Sequence, residues 1–152
     1  MLLAALVLAA IPTYGPLPTA SPTPPAARLP HSADEALIIR SNSTNTAGYK
    51  LYVYANGTTA LQQGDIPLRK HVSAAIVSRF FADLRAAGPL DQIRMHPCMK
   101  SASFGTTLTI VYRGTFSPDV SCPATAPKLE QDALALADAA GVSLAPRPIS
   151  QP

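Results

Sequence analysis

The chain has 152 residues, 47% hydrophobic and 14% charged. That suffices for one domain with a buried core and excludes a wholly disordered chain. The net charge of +3 is spread over scattered Lys and Arg, of which only Arg69 and Lys70 are adjacent. No basic stripe with stacking aromatics accompanies it, so nucleic acid is not an expected partner.

Residues 1–11 (MLLAALVLAAI) form an unbroken apolar run. The run is too short for a bilayer, which needs about 20 residues. It fits the apolar region of an export signal, expected over residues 1–20. No Lys or Arg precedes the run, and no A-x-A cleavage site follows it. Residues 21–33 read as a proline-rich linker, the continuation of a series at Pro12, Pro16, Pro18, Pro22, Pro24, Pro25 and Pro30. Each proline fixes φ and removes a donor, which favours extended backbone. The folded unit is expected over residues 34–142, with a disordered tail at 143–152.

Within that unit, ALIIRS (36–41) is the first expected strand. YKLYVYA (49–55) and TTALQQ (58–63) flank Asn56-Gly57, the signature of a type I′ hairpin. Alternation in the first of these puts Leu51 and Val53 on one face and Lys50, Tyr52 and Tyr54 on the other. Residues 66–72 read as a short strand or an extended approach to a helix. Ser73 is a candidate N-cap for AAIVSRFFADLRAA, whose Ile76, Val77, Phe80, Phe81 and Leu84 fall on one helical stripe. Gly88 and Pro89 end it. The adjacent phenylalanines are expected in the core. TTLTIVY (106–112) is a β-branched strand that turns at Arg113-Gly114 towards Thr115 and Phe116. A last helix is expected over 127–140, with Pro127 in its first turn, Gly141 after its end, and Leu129, Ala133, Leu136 and Ala140 as its apolar stripe.

Hairpins imply antiparallel pairing, and two amphipathic helices need a sheet face to cover. The expected fold is therefore α+β: an antiparallel sheet of about four to five strands with two helices on one face. The other face is expected to stay at least partly open.

The only cysteines, Cys98 and Cys122, flank the strand that turns at Arg113-Gly114. A hairpin brings its flanks together, so a disulfide is the favoured reading in an exported chain. It would close a loop of about 25 residues and add on the order of 3 kcal/mol. A metal site would need three or four ligands, and His71 and His96 have no ligand spacing with the cysteines. A thiol nucleophile would pair a free cysteine with His71 or His96, the neighbours His96 and Cys98 among the options.

No G-x-S-x-G, H-E-x-x-H, G-x-G-x-x-G or P-loop pattern occurs. Asp83 and the acids between Glu130 and Asp138 are expected on exposed helix faces. Asp119, in Ser117-Pro118-Asp119, reads as a turn former. No facing carboxylate pair stands out, and no catalytic residue, metal or cofactor is nominated. The sequons at Asn42 and Asn56 are attributed to chance, the latter to turn geometry.

The strand Tyr49-Lys50-Leu51-Tyr52-Val53, the Asn56-Gly57 turn and the helix bearing Phe80 and Phe81 resemble small exported bacterial domains of unknown function. Those domains share a Y-x-L-x-[IV] strand, a D/N-G turn and a following amphipathic helix. The resemblance spans about half of the folded unit. It implies an envelope protein without known activity and transfers no site residues. The cysteines here do not follow that group's paired pattern ahead of the first hairpin.

The expectation is a secreted or periplasmic, non-catalytic binding or structural module. Its partner would be a protein or another envelope component, and it would meet a membrane only through export or a retained N-terminal run. The candidate binding face is Lys50, Tyr52 and Tyr54, with the polar loop 42–46 nearby. One alternative is a protease inhibitor presenting Lys100-Ser101 from a disulfide-anchored loop. Another is a hydrolase or thiol enzyme without a recognisable motif, using Cys98 and His96.

Overall fold

The computed structural model describes residues 28–64 and 66–142. The expected signal segment, residues 21–27 of the expected linker, and the expected tail at 143–152 lie outside the described residues.

Six strands form one antiparallel sheet. They are β1 (Glu35–Arg40), β2 (Tyr49–Tyr54), β3 (Thr58–Gln63), β4 (Ile66–His71), β5 (Leu108–Tyr112) and β6 (Thr115–Phe116). Their spatial order is β4-β3-β2-β1-β5-β6. The α+β expectation holds, with six strands rather than four to five. The difference comes from β4, a full strand of six residues, and from the two-residue β6.

Helix α1 (Ala74–Ala87) leaves the β4 edge and returns the chain to the far side of β1. A short 3-10 turn at Leu90–Gln92 follows it. Helix α2 (Pro127–Ala140) packs against α1. Both helices cover the same sheet face. From the sheet, the core takes Ala36, Ile38, Leu51, Val53, Leu61 and Ile110. From the helices it takes Val77, Phe80, Phe81 and Leu84 of α1, and Leu129, Ala133, Leu136 and Ala140 of α2. Phe81 lies edge-on to Phe80 (centroids 5.6 Å apart) and to Tyr112 (6.1 Å), so both phenylalanines are core residues. Ile38 is opposite Leu51 on one side and Ile110 on the other, which makes β1 the centre of the sheet.

The turn chemistry differs from expectation. The β2–β3 loop spans three residues, 55–57, with only Gly57 at positive φ (89°) and its N–H donated to Tyr54 O. A three-residue hairpin needs one left-handed position, and Gly57 supplies it. Asn56 instead accepts the Thr58 N–H through Oδ1 (2.9 Å). The two-residue turn with consecutive positive φ lies at Arg113 (51°) and Gly114 (77°), where Tyr112 pairs with Thr115. Ser73 occupies the position before α1 but makes no side-chain cap bond.

At the end of α2, Gly141 is left-handed (φ 81°). Its N–H donates to Asp138 O, and the Val142 N–H donates to Ala137 O, which closes the helix. A Cβ on Gly141 would lie 2.5 Å from the Lys70 Nζ. The Lys70 ammonium thus sits at the negative end of α2, where a cation is favoured.

Asp132 departs from its expected exposed position. It is buried between the helices, 3% exposed, and accepts from Arg79 Nε at 2.6 Å through Oδ1. Its Oδ2 has no donor. Burial raises the Asp132 pKa; the Arg79 guanidinium opposes this, and the Asp83 carboxyl beside it adds to it. The folded state therefore holds this proton more tightly than the unfolded chain. The associated stability is full below the unfolded carboxyl value of about 3.9 and is lost as pH rises through the raised folded value. Asp83→Asn removes the facing acceptor and supplies an N–H donor for Oδ2. Urea denaturation should show it about 1 kcal/mol more stable than the parent at pH 7, with the gain shrinking towards pH 4.

Candidate functional site

The sheet face away from the helices divides into two halves. On the β1–β5–β6 half, Leu37 is paired with Tyr52 and Val111, and Val111 with Phe116. Leu37 and Val111 are buried although no helix lies over them. Residues 28–33, assigned to the linker by composition, are tied to this half. Arg28 pairs with Glu35 at 2.8 Å, Gly114 N–H donates to Pro30 O, and Tyr112 Oη–H donates to Ala33 O.

Among the described residues, no helix or strand lies over the β2–β3–β4 half. The register sets two rows across it, Lys50–Gln62–Pro67 and Tyr52–Ala60–Arg69, and pairs Thr58 with His71 on the face that Tyr54 shares by alternation. All three residues of the expected face are brought together here. Lys50 is exposed, and Tyr52 and Tyr54 are half-buried. Burial, and secondarily the neighbouring Tyr54, push the Tyr52 phenol above its ordinary pKa, so it remains a hydrogen-bond donor at neutral pH. Thr58 and Ala60 of β3 stand between β2 and β4, whose Arg69 and His71 lie on the same face and were not among the residues expected there. Period-two alternation in IPLRKH would have placed them there, had residues 66–72 been read as a strand throughout. The His71 ring packs over the hairpin tip: a Cβ on Gly57 would meet its Cε1 at 2.7 Å. Among the described residues, no carboxylate lies on the open face of β2, β3 or β4. The nearby loop 42–46 is tied down instead, with Asn45 N–H and Ser43 Oγ–H both donating to Ser103 O.

The disulfide lies at the end of the sheet to which loop 42–46 is tied. Cys98 and Cys122 are bonded (S–S 2.07 Å, Cα–Cα 5.5 Å), as expected from their positions around the β5–β6 hairpin. Both sulfurs are in that bond, and a thiol mechanism would require its reduction. His96 bonds Thr125 through its backbone and is exposed. Lys100 is turned inwards. Its ammonium donates to Asp119 Oδ2, to Ser121 Oγ (2.6 Å) and to Thr106 O (2.7 Å). A lysine that donates to all three, one a carboxylate, offers Ser121 no basic lone pair; the cluster is a clasp, not a nucleophile pair. Ser101 Oγ accepts from the Ser103 and Phe104 N–H groups and so shapes the loop. Beside the clasp lies a cleft of about 580 Å³, with exposed Met99 and Phe104, and Leu134 of α2, on its walls.

Asp119 is the hub of the clasp, and its reading as a turn former holds. Besides Lys100, it accepts from Leu108 N–H (2.9 Å), Ser121 N–H (3.0 Å) and Ser121 Oγ–H (2.6 Å). Among the described residues, no group of three His, Cys, Asp or Glu side chains is arranged to hold a metal. No family model matches the chain, and no curated protein or solved structure is similar to it.

Burial alone would raise the Asp119 pKa, but Lys100, Ser121 and the two backbone donors outweigh it and hold the carboxyl below its usual range. The stability it contributes is present above the unfolded value of about 3.9 and is lost as pH falls through the lower folded value. Asp119→Asn should cost about 2 kcal/mol at pH 7. An acid titration of stability should also show a shallower acid limb in this variant than in the parent.

Proposed function

We propose that the chain is a non-catalytic binding or structural module of the secreted or periplasmic space, engaging a protein or envelope partner through the open half of its sheet. The observation that carries this reading is the row arrangement on β2–β4. Two half-exposed tyrosines stand side by side on a rigid strand, flanked by Lys50 and Arg69, with no helix over them. Aromatic side chains on a rigid support give large contact area at low entropic cost, and they are enriched at interfaces. The Cys98–Cys122 bond fits an oxidising compartment. No helix among the described residues is long and apolar enough to cross a membrane. The inward-turned Lys100 and the bonded cysteines favour binding over catalysis.

The double variant Tyr52→Ser/Tyr54→Ser tests the face. Its thermal unfolding should remain cooperative, with a loss of about 1–2 kcal/mol from lower strand propensity. A photo-crosslinking residue introduced at Ala60, between the tyrosines and β4, should trap a partner from the native envelope fraction. Adding the double substitution should reduce that yield by at least about tenfold. An unchanged yield overturns the reading.

A further inference from the structure

Among the described residues, no strand pairs with the outer side of β4, where the open half of the sheet ends. Residues 67–71 of β4 are all exposed, and β4 is the outermost strand. Val72 N–H donates to Gly57 O at 2.9 Å, which fixes which backbone groups face inwards. Residues 66, 68 and 70 direct theirs to β3, and residues 67, 69 and 71 direct theirs outwards. The outward set offers two N–H donors, from Arg69 and His71, and three carbonyl acceptors, from Pro67, Arg69 and His71. Pro67 falls on the side where no ladder donor is needed, the position an edge tolerates. The opposite edge, β6, is only two residues long.

The side chains at this edge are chemically one-sided. Arg69 projects onto the open face in a row with Tyr52, His71 shares that face, and Lys50 occupies the adjacent row. β2, β3 and β4 carry no acid on that face; the Glu35 carboxylate of β1, opposite Tyr54, is paired with Arg28. On the helix side, Leu68 is 43% exposed, and the Lys70 ammonium is already placed at the end of α2. A strand added to β4 would meet the Arg69 guanidinium and the His71 ring on one face and an exposed leucine on the other.

We propose that β4 is a docking edge for an extended acidic segment of another protein, which adds a seventh strand to the sheet. Its acidic side chains alternate with apolar ones, the acids over Arg69 and the apolar residues over Leu68. Backbone pairing supplies affinity, and the alternation supplies specificity. The charge pattern argues against a second copy of the chain, because β4 against β4 would bring Arg69 and Lys70 next to their own kind. The inference rests on the open-face reading and adds to it the partner's chemistry and mode of binding.

The test uses fluorescein-labelled Val-Glu-Val-Glu-Val-Glu-Val, blocked at both ends, and the oxidised protein. Three comparison probes are the same peptide N-methylated at alternate residues, the peptide with Lys in place of Glu, and a short oligothymidylate. The acidic peptide should bind, shift the amide resonances of Arg69 and His71, and slow their hydrogen exchange. N-methylation should weaken it by more than about tenfold through loss of strand pairing. The Lys peptide should not bind. Arg69→Gln should weaken the acidic peptide by up to about fivefold, the equivalent of one exposed ion pair.

Equal binding of the methylated peptide overturns edge pairing. If Tyr52→Ser/Tyr54→Ser then weakens both peptides, the open-face reading survives that failure. Tighter binding of the oligothymidylate overturns the proposal in favour of a polyanion surface. Absence of binding by every probe overturns it, as does a protein dimer that buries the β4 amides.

Discussion

Every other feature of the molecule depends on how β1 is paired. It sits between β2, its neighbour in sequence, and β5, which lies about seventy residues further along the chain. The β1–β2–β3–β4 meander is local, joined by the eight-residue loop 41–48 and two short turns. The β1–β5 pair is not local, and its loop-closure entropy must be offset by something that brings β5 back. Helix α1 does this by crossing the sheet from the β4 edge, burying Phe80, Phe81 and Leu84 on the way. The crossing places Ile110 against Ile38 and also covers the face that the strands cannot cover themselves. Core formation and strand order are therefore one event. A large-to-small change at Phe80, fully buried at the crossing, would loosen both.

The disulfide end stabilises the same non-local pair from outside the core. Asp119 accepts from the Leu108 N–H at the start of β5, and Lys100 binds both Asp119 and the Thr106 carbonyl. The Cys98–Cys122 bond holds the two loops that carry these groups. A lysine, a carboxylate, two hydroxyl-bearing strand flanks and a disulfide thus converge where the sheet would otherwise fray. Charge-assisted bonds of this kind are stronger than neutral ones, and partial burial shields them from salt.

Much of this was legible in the sequence. The strands 49–55 and 58–63, both helices, their buried stripes and the disulfide followed from period, end signals and cysteine count. What was missed has physical causes. Asn56-Gly57 satisfies a two-residue and a three-residue hairpin equally well on composition, and the register of β2 on β3 decides between them. Arg113 is an improbable residue for a left-handed position, yet the β5–β6 turn imposes it, with its guanidinium 5.2 Å from the Tyr112 ring. Asp132 looks solvent-facing on a helix of alternating acids, and its burial becomes visible only when Arg79 of the other helix is placed beside it. For the open face, the shared side of Lys50, Tyr52 and Tyr54 was readable because alternation in β2 is clean. Arg69 and His71 were not, because Pro67 and a run of charges obscured β4 as a strand.

The two halves of the open face now have a common explanation. An antiparallel sheet with helices on one side must still deal with its second side, and apolar residues there need cover. On the β1–β5 half, Leu37 and Val111 are buried, and residues 28–33 are held at that side of the sheet by the Gly114 N–H, the Tyr112 hydroxyl and Glu35. On the β2–β4 half, the chain uses side chains that tolerate water: amphipathic tyrosines, a threonine, a glutamine and long cations. That choice removes the need for cover without removing the capacity to bind. The strand register leaves the β4 backbone groups facing outwards, so the side chains that prepare the face and the edge that can extend it belong to one strand arrangement.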